Sequence, residues 1–226
     1  MKKIVLLFVS VSLFCILCTN KLVFSQDDVT VTYSQGGGKG EVIPQNIIKT
    51  SLLSPLWFQI PFTGEYRLVY ERVVNEKIAL YLGVGYVGKS ALLIGSSSLT
   101  SDSAVQGLGI GIAGFRVHGG GKLYLTDFPA PKGFYIGPHF SYNTAKFFDK
   151  SQPNDYLKAT FINFNVLVGY QFIVGGGFAF DMFSGFGYKI NTWVLNIENS
   201  TIFNDELLFD RFGVKFNLGF NLGYAF

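Results

Sequence analysis

His139-Phe140-Ser141-Tyr142-Asn143 is where nucleophile chemistry lies nearest to hand. In a strand, a histidine and a serine two residues apart share one face, and a glutamate from elsewhere could orient the imidazole. A second segment, Gly83-Val84-Gly85-Tyr86-Val87-Gly88-Lys89-Ser90, matches the spacing with which backbone amides, a lysine and a magnesium-binding serine cradle a nucleotide's phosphates. That chemistry needs a strand-to-helix turn, whereas these residues prolong an alternating strand and no long amphipathic helix follows them. Gly109 to Gly114 has the dinucleotide glycine spacing but lacks the following helix and the acidic partner. With two histidines in the chain, His118 and His139, a His-rich metal site is excluded. Asn199-Ser200-Thr201 fits a glycosylation acceptor pattern and is uninformative in a bacterium. No cofactor is expected.

The elements that would position these groups follow from how the chain is exported. Lys2 and Lys3 precede an apolar run from Ile4 to Cys18, and Val23-Phe24-Ser25 offers a cleavage site, so residues 1–25 read as a secretory signal peptide. The run is too short for a bilayer-spanning helix. Cleavage after Ser25 removes Lys2, Lys3 and Lys21 from 18 basic residues, leaving 15 against 15 acidic ones, so no basic footprint for nucleic acid remains. Cys15 and Cys18 leave with the signal, and with them thiol, disulfide and Cys-metal chemistry. The remaining chain is aromatic and rich in glycine, and no apolar run after residue 25 is long enough for a membrane helix.

Period two dominates that remainder. Phe212, Val214, Phe216, Leu218, Phe220, Leu222, Tyr224 and Phe226 alternate with small or polar residues. The run is about three times the usual strand length of a soluble sheet and suits a membrane-spanning strand, apolar outward and polar toward the lumen. Five further segments repeat the pattern around Tyr66, Leu80, Ile136, Phe164 and Phe180. Two weaker strands are Asn46 to Ser54, with Ile48, Thr50 and Leu52 outward if Lys49 points in, and Leu108 to Leu125. In the latter the apolar parity slips, which predicts a bulge near Gly114 or the glycines at 119 to 121. Pro138 predicts a bulge or break in its own strand. Connections alternate between short (Asn75 to Lys77, Thr126 to Lys132, Gly175 to Gly177) and long (Pro55 to Thr63, Lys89 to Ser103, Phe148 to Lys158, Asn196 to Asp210).

The fold expected is therefore all-β: an eight-stranded antiparallel up-and-down transmembrane β-barrel over residues 46–226, with short periplasmic turns and longer external loops. Residues 26–45 read as a periplasmic tail or linker, with one short strand at Val29 to Tyr33 as an option. The expected location is the outer membrane of a Gram-negative bacterium.

Strand parity assigns roles to the charges. Glu65, Arg67, Glu71, Asp181, Lys189 and Lys215 point into a lumen just wide enough to be filled by side chains, so they are expected to pair and hold the barrel shut. The same parity turns His139 inward. Leu92, Leu93 and Ile94 in the second long loop, and Ile202, Phe203, Leu207 and Leu208 in the fourth, are candidate external contacts for lipopolysaccharide or an unidentified partner. The function expected is structural or loop-mediated binding by a non-enzyme. The alternatives are a lipid A-modifying enzyme using His139 and Ser141, which would need His139 exposed to lipid or substrate, and a small pore, which would need a continuous polar lumen.

Several segments also resemble a known family. Asn46-Ile47-Ile48-Lys49, Leu52-Leu53-Ser54-Pro55-Leu56, Leu68-Val69-Tyr70-Glu71-Arg72-Val73, Gly83-Val84-Gly85-Tyr86 and Gly133-Phe134-Tyr135-Ile136-Gly137-Pro138 resemble an outer-membrane β-barrel family of Gram-negative bacteria known chiefly as a domain of unknown function. The resemblance covers roughly residues 46–226 and implies the same eight-stranded barrel. Tyr224 and the final Phe226 are similar to the C-terminal signal read by the barrel-assembly machinery. His139 to Asn143 loosely resembles the His-x-Ser-Asn element of outer-membrane lipid A deacylases, but here Tyr142 separates Ser141 from Asn143 and the histidine faces the other way.

Overall fold

A computed structural model describes residues 44–56, 63–92, 94, 110–151, 154–196 and 212–226. Eight strands run β1 (Asn46–Ser51), β2 (Thr63–Asn75), β3 (Ile78–Lys89), β4 (Ile110–Tyr124), β5 (Gly133–Asp149), β6 (Tyr156–Val174), β7 (Phe178–Asn196) and β8 (Phe212–Ala225). Each pairs antiparallel with its neighbour in sequence, and β1 pairs with β8 to close the barrel. The seam is tied at its end by Asn46 and Phe226, whose backbones exchange hydrogen bonds of 3.0 and 2.8 Å. The expected eight-stranded up-and-down architecture is the one observed.

Alternation builds this wall, because successive strand side chains point to opposite faces. Odd-numbered residues face the lumen on seven strands, as in Glu65, Val69 and Glu71 of β2 or Ser141, Asn143 and Ala145 of β5, all buried. On β4 the even numbers face inward: Arg116, His118, Lys122 and Tyr124 are buried, while Phe115, Val117 and Leu123 are exposed. The outer surface is mainly apolar, and on β8 Val214, Phe216 and Leu218 are 69–76% exposed. The result is inverted relative to a water-soluble protein, with charges in the interior and aliphatic and aromatic side chains outside.

Three local expectations are corrected. No bulge interrupts β4, whose registers to β3 and β5 stay constant from Gly114 to Leu123. The parity slip is a change in which face is apolar near the loop end, where Ile112 shares the inward parity of Arg116. A register shift falls instead at Val73/Asn75, beside the first short turn. Strand β5 runs unbroken through Pro138, and its pairing with β6 is continuous there. The missing proline donor is felt only on the β4 side, where pairing steps from His139↔Gly120 to Ile136↔Leu123 without a change of register. Finally, Phe148 to Lys158 is not a long loop, since β5 continues to Asp149 and β6 begins at Tyr156. Asp149 accepts hydrogen bonds from the backbone and hydroxyl of Ser151 at 2.8 and 2.7 Å, which bends the chain as it leaves β5.

At the opposite end Gly175–Gly177 joins β6 to β7 in one short turn, with Gly176 at φ 79°, a conformation that favours glycine. The phosphate-loop look-alike Gly83 to Lys89 is part of β3, and Gly111 to Gly114 is part of β4. The signal segment, the tail with its optional strand, Gly109 and the Asn199 acceptor lie outside the described residues.

Candidate functional site

The lumen is where side-chain chemistry concentrates, and it is built in layers. Nearest the short turns lies a closed polar ring to which every strand but β3 contributes. Lys49 Nζ on β1 donates to Glu71 Oε2 at 2.5 Å, Asp181 Oδ2 at 2.7 Å and Gln171 Oε1 at 3.1 Å. Lys122 Nζ on β4 meets the same three groups at 2.9, 2.9 and 2.6 Å. The remaining lone pairs of the two carboxylates are taken up as well: Tyr124 and Gln171 donate to Glu71 Oε1, and Tyr135 donates to Asp181 Oδ1 at 2.6 Å. Two ammonium groups thus face two carboxylates with no net charge, which is how buried ions are tolerated away from water. Lys122 also lies 4.2 Å from the centre of the Tyr135 ring.

Toward the loops the composition changes. Arg116 Nη1 donates to Glu65 Oε2 at 2.9 Å, and Arg67 reaches the same oxygen at 3.9 Å. His139 sits between Tyr81 OH, 2.8 Å from Nδ1, and Arg116 Nη2, 3.4 Å from Nε2. His118 packs edge-on against His139, with ring centroids 5.4 Å apart. Asn163 Nδ2 donates to Ser141 Oγ and Asn143 Oδ1. Beyond this layer an apolar group of Val87, Ala145, Ala159 and Phe161, with Phe147 and Trp193, packs across the loop side of the lumen. Between the two polar layers lies a cavity of about 20 Å³ whose lining includes Lys49, Arg67, His118, Lys122 and Asp181. That is room for one water-sized particle.

Of the luminal charges expected from sequence, Glu71 and Asp181 meet in the first layer and Glu65 and Arg67 in the second. Lys189 and Lys215 are half-buried on β7 and β8, and the Lys189 stem lies against Gly213. Their expected pairing with carboxylates is not among the ion pairs of the described residues. The partners that complete the first layer, Lys49, Lys122, Gln171, Tyr124 and Tyr135, were not foreseen as a group. Reading Phe115, Val117, Leu123 and Leu125 as the outward frame of β4 would have turned Arg116, His118, Lys122 and Tyr124 inward.

His139 and Ser141 share a face as expected, but each is engaged with a different neighbour inside the lumen. Of the loop candidates, Leu92 and Ile94 are exposed, and Ile94 N donates to Ser90 O. Leu93, Ile202, Phe203, Leu207 and Leu208 lie outside the described residues. Tyr224 and Phe226 face outward and are exposed.

Tyr135→Phe removes the charge-assisted hydrogen bond to Asp181 while keeping the ring. It is expected to lower the unfolding free energy by about 1.5–3 kcal/mol, read from urea unfolding in detergent micelles.

No protein-family model matches the chain, and no curated protein matches it by sequence. The family resemblance seen in the sequence therefore rests on those residues alone. Among solved structures the chain is similar to the crystal structure of Ail, the attachment invasion locus protein of Yersinia pestis, at 12% identity and a TM-score of 0.42. The match covers 81% of this chain and 99% of that one. A likeness at that level decides nothing about function.

Proposed function

We propose that the chain is an integral outer-membrane β-barrel of a Gram-negative bacterium, exported by residues 1–25 and inserted by the barrel-assembly machinery. Its lumen is closed by paired charges, and it acts structurally or by binding through its external loops, with lipopolysaccharide or another surface molecule as partner. The observation that carries this reading is the inversion of the wall: Val214, Phe216 and Leu218 are among the most exposed side chains while Lys49, Glu71 and Asp181 are buried. A surrounding of lipid makes that arrangement favourable, because about 25 cal/mol is lost for each Å² of apolar surface left in water.

The two alternatives draw no support from the geometry. A pore needs a continuous water path, and the ion pairs and apolar side chains that cross the lumen among the described residues speak against one. A lipid A-modifying enzyme needs His139 exposed to lipid or substrate, whereas His139 is buried in the lumen between Tyr81 and Arg116.

The direct test is fractionation of cells expressing the gene, combined with gel migration before and after boiling. The expected result is an outer-membrane protein whose unboiled form runs differently from its boiled form, with no conductance steps in planar bilayers. Recovery in the soluble periplasm, or steady single-channel currents, would overturn the reading. Lipid A from cells carrying a deletion, the restored gene or a His139→Ala gene is expected to give one and the same mass spectrum.

Deleting Phe226 removes the assembly signal together with both backbone hydrogen bonds at the seam, each worth about 0.5–1.5 kcal/mol. Folded protein in the outer membrane is expected to fall and unfolded periplasmic protein to rise, measured by the same heat-shift gel.

A further inference from the structure

The two polar layers differ in charge balance. In the ring nearest the short turns, Lys49 and Lys122 are matched by Glu71 and Asp181. Toward the loops, Arg67 and Arg116 share the single carboxylate of Glu65, and the ammonium of Lys215 faces the same layer, buried and without a hydrogen-bond partner among the described residues. Water can satisfy donors there, but it cannot neutralise an excess of buried positive charge.

Unpartnered donors mark where a neutralising group would sit. Arg67 Nε has no partner among the described residues, and neither does either ring nitrogen of His118, one of which carries a proton in any tautomer. His118 is buried, the Arg67 side chain is 9% exposed, and both line the cavity of about 20 Å³ between the layers. Its other ionic walls are Lys49, Lys122 and Asp181; the two lysines are balanced by Asp181 and Glu71, so the unbalanced cation at the cavity is Arg67, which shares Glu65 with Arg116. The cavity is too small for a phosphate or an organic acid, and of a size for a monatomic ion.

We infer that this cavity is an anion site of the halide class, occupied by chloride under ordinary conditions. Arg67 and the His118 N–H are its direct donors, and Lys49 and Lys122 lie behind them. The ion serves the loop-side half of the lumen as the carboxylates serve the other, by balancing the positive charge left over among the described residues there.

The test uses the refolded full barrel in detergent micelles at constant ionic strength, comparing sodium bromide and chloride with sodium gluconate and sulfate. General salt effects would make sulfate the stabilising anion. The site predicts the opposite order, with a saturable rise of the unfolding midpoint in halide of about 2–4 °C, the shift that about 1 kcal/mol produces in a chain of this size. Arg67→Gln is expected to abolish the rise, and Lys150→Gln, an exposed cation outside the lumen, to leave it intact. Should Arg67→Gln fail to fold, crystals grown in bromide supply an independent readout: an anomalous peak within contact distance of Arg67 and His118. Midpoints that follow the general salt order, a halide effect that survives in Arg67→Gln, or a bromide peak without any effect in solution (an adventitious ion only) would each overturn the inference.

Discussion

Asp181→Asn is expected to lower the unfolding free energy by about 3–5 kcal/mol, the usual consequence of removing one partner from a buried ion pair. Asp181 accepts from Lys49, Lys122, Tyr135 and Asn221, which belong to four strands. Without its charge two buried ammonium groups are left to Glu71 alone, and the asparagine amide turns a donor toward groups that need an acceptor. Urea unfolding of the refolded protein should show the midpoint falling with the slope unchanged. The companion variant Lys49→Met/Asp181→Leu removes a cation and an anion together, and so is expected to regain at least half of that loss. A double variant no more stable than Asp181→Asn would mean that the four-charge ring acts through shape and not through charge balance.

Gly187→Ala is expected to destabilise the barrel by about 1–3 kcal/mol, the range for forcing extra volume into a packed site. Gly187 faces the lumen on β7, and a Cβ there would stand 2.5 Å from Asn165 Cα and 2.8 Å from the carbonyl carbon of Phe164. Backbone of the neighbouring strand cannot rotate away as a side chain would, so the two strands must separate. The control is Gly175→Ala in the short turn, where a Cβ meets nothing within 4 Å. That change should stay within about 0.5 kcal/mol of the parent. Equal midpoints for the two variants would show that close approach of β6 and β7 at Gly187 is not a constraint on this fold.

The contrast between what the sequence reveals and what it hides has a physical basis. Period-two alternation is a property of one strand, so the greasy faces at Ile78 to Tyr86 and Val214 to Tyr224 can be read one strand at a time, and the count of eight follows from turns between them. Which luminal groups touch is a property of all the registers together. Lys49 meets Asp181 across 132 residues because β1 closes on β8 in a particular register, and nothing local to either residue encodes that meeting. Strand β4 added a second obstacle. Its glycines at 119 to 121 carry no side chain to mark a face, and the apolar residues at its loop end lie on the opposite parity from Phe115 and Val117, so Arg116, His118 and Lys122 were not placed in the lumen. Pro138 misled for a different reason: a missing donor weakens one ladder, and the second ladder, to β6, keeps the strand straight.

β1 has 6 residues while β6 and β7 have 19 each, so the wall rises from about 20 Å along the strand on one side to about 65 Å on the other. Lipids meeting a hydrophobic surface of uneven height adjust their thickness to it, thinning where the wall is low. Spin labels at the outward positions Ile48 and Val166 should report more disordered acyl chains at the first than at the second. In the membrane location proposed above, the expected result is a surrounding perturbed unequally around the circumference, with softer lipid beside β1 than behind β6.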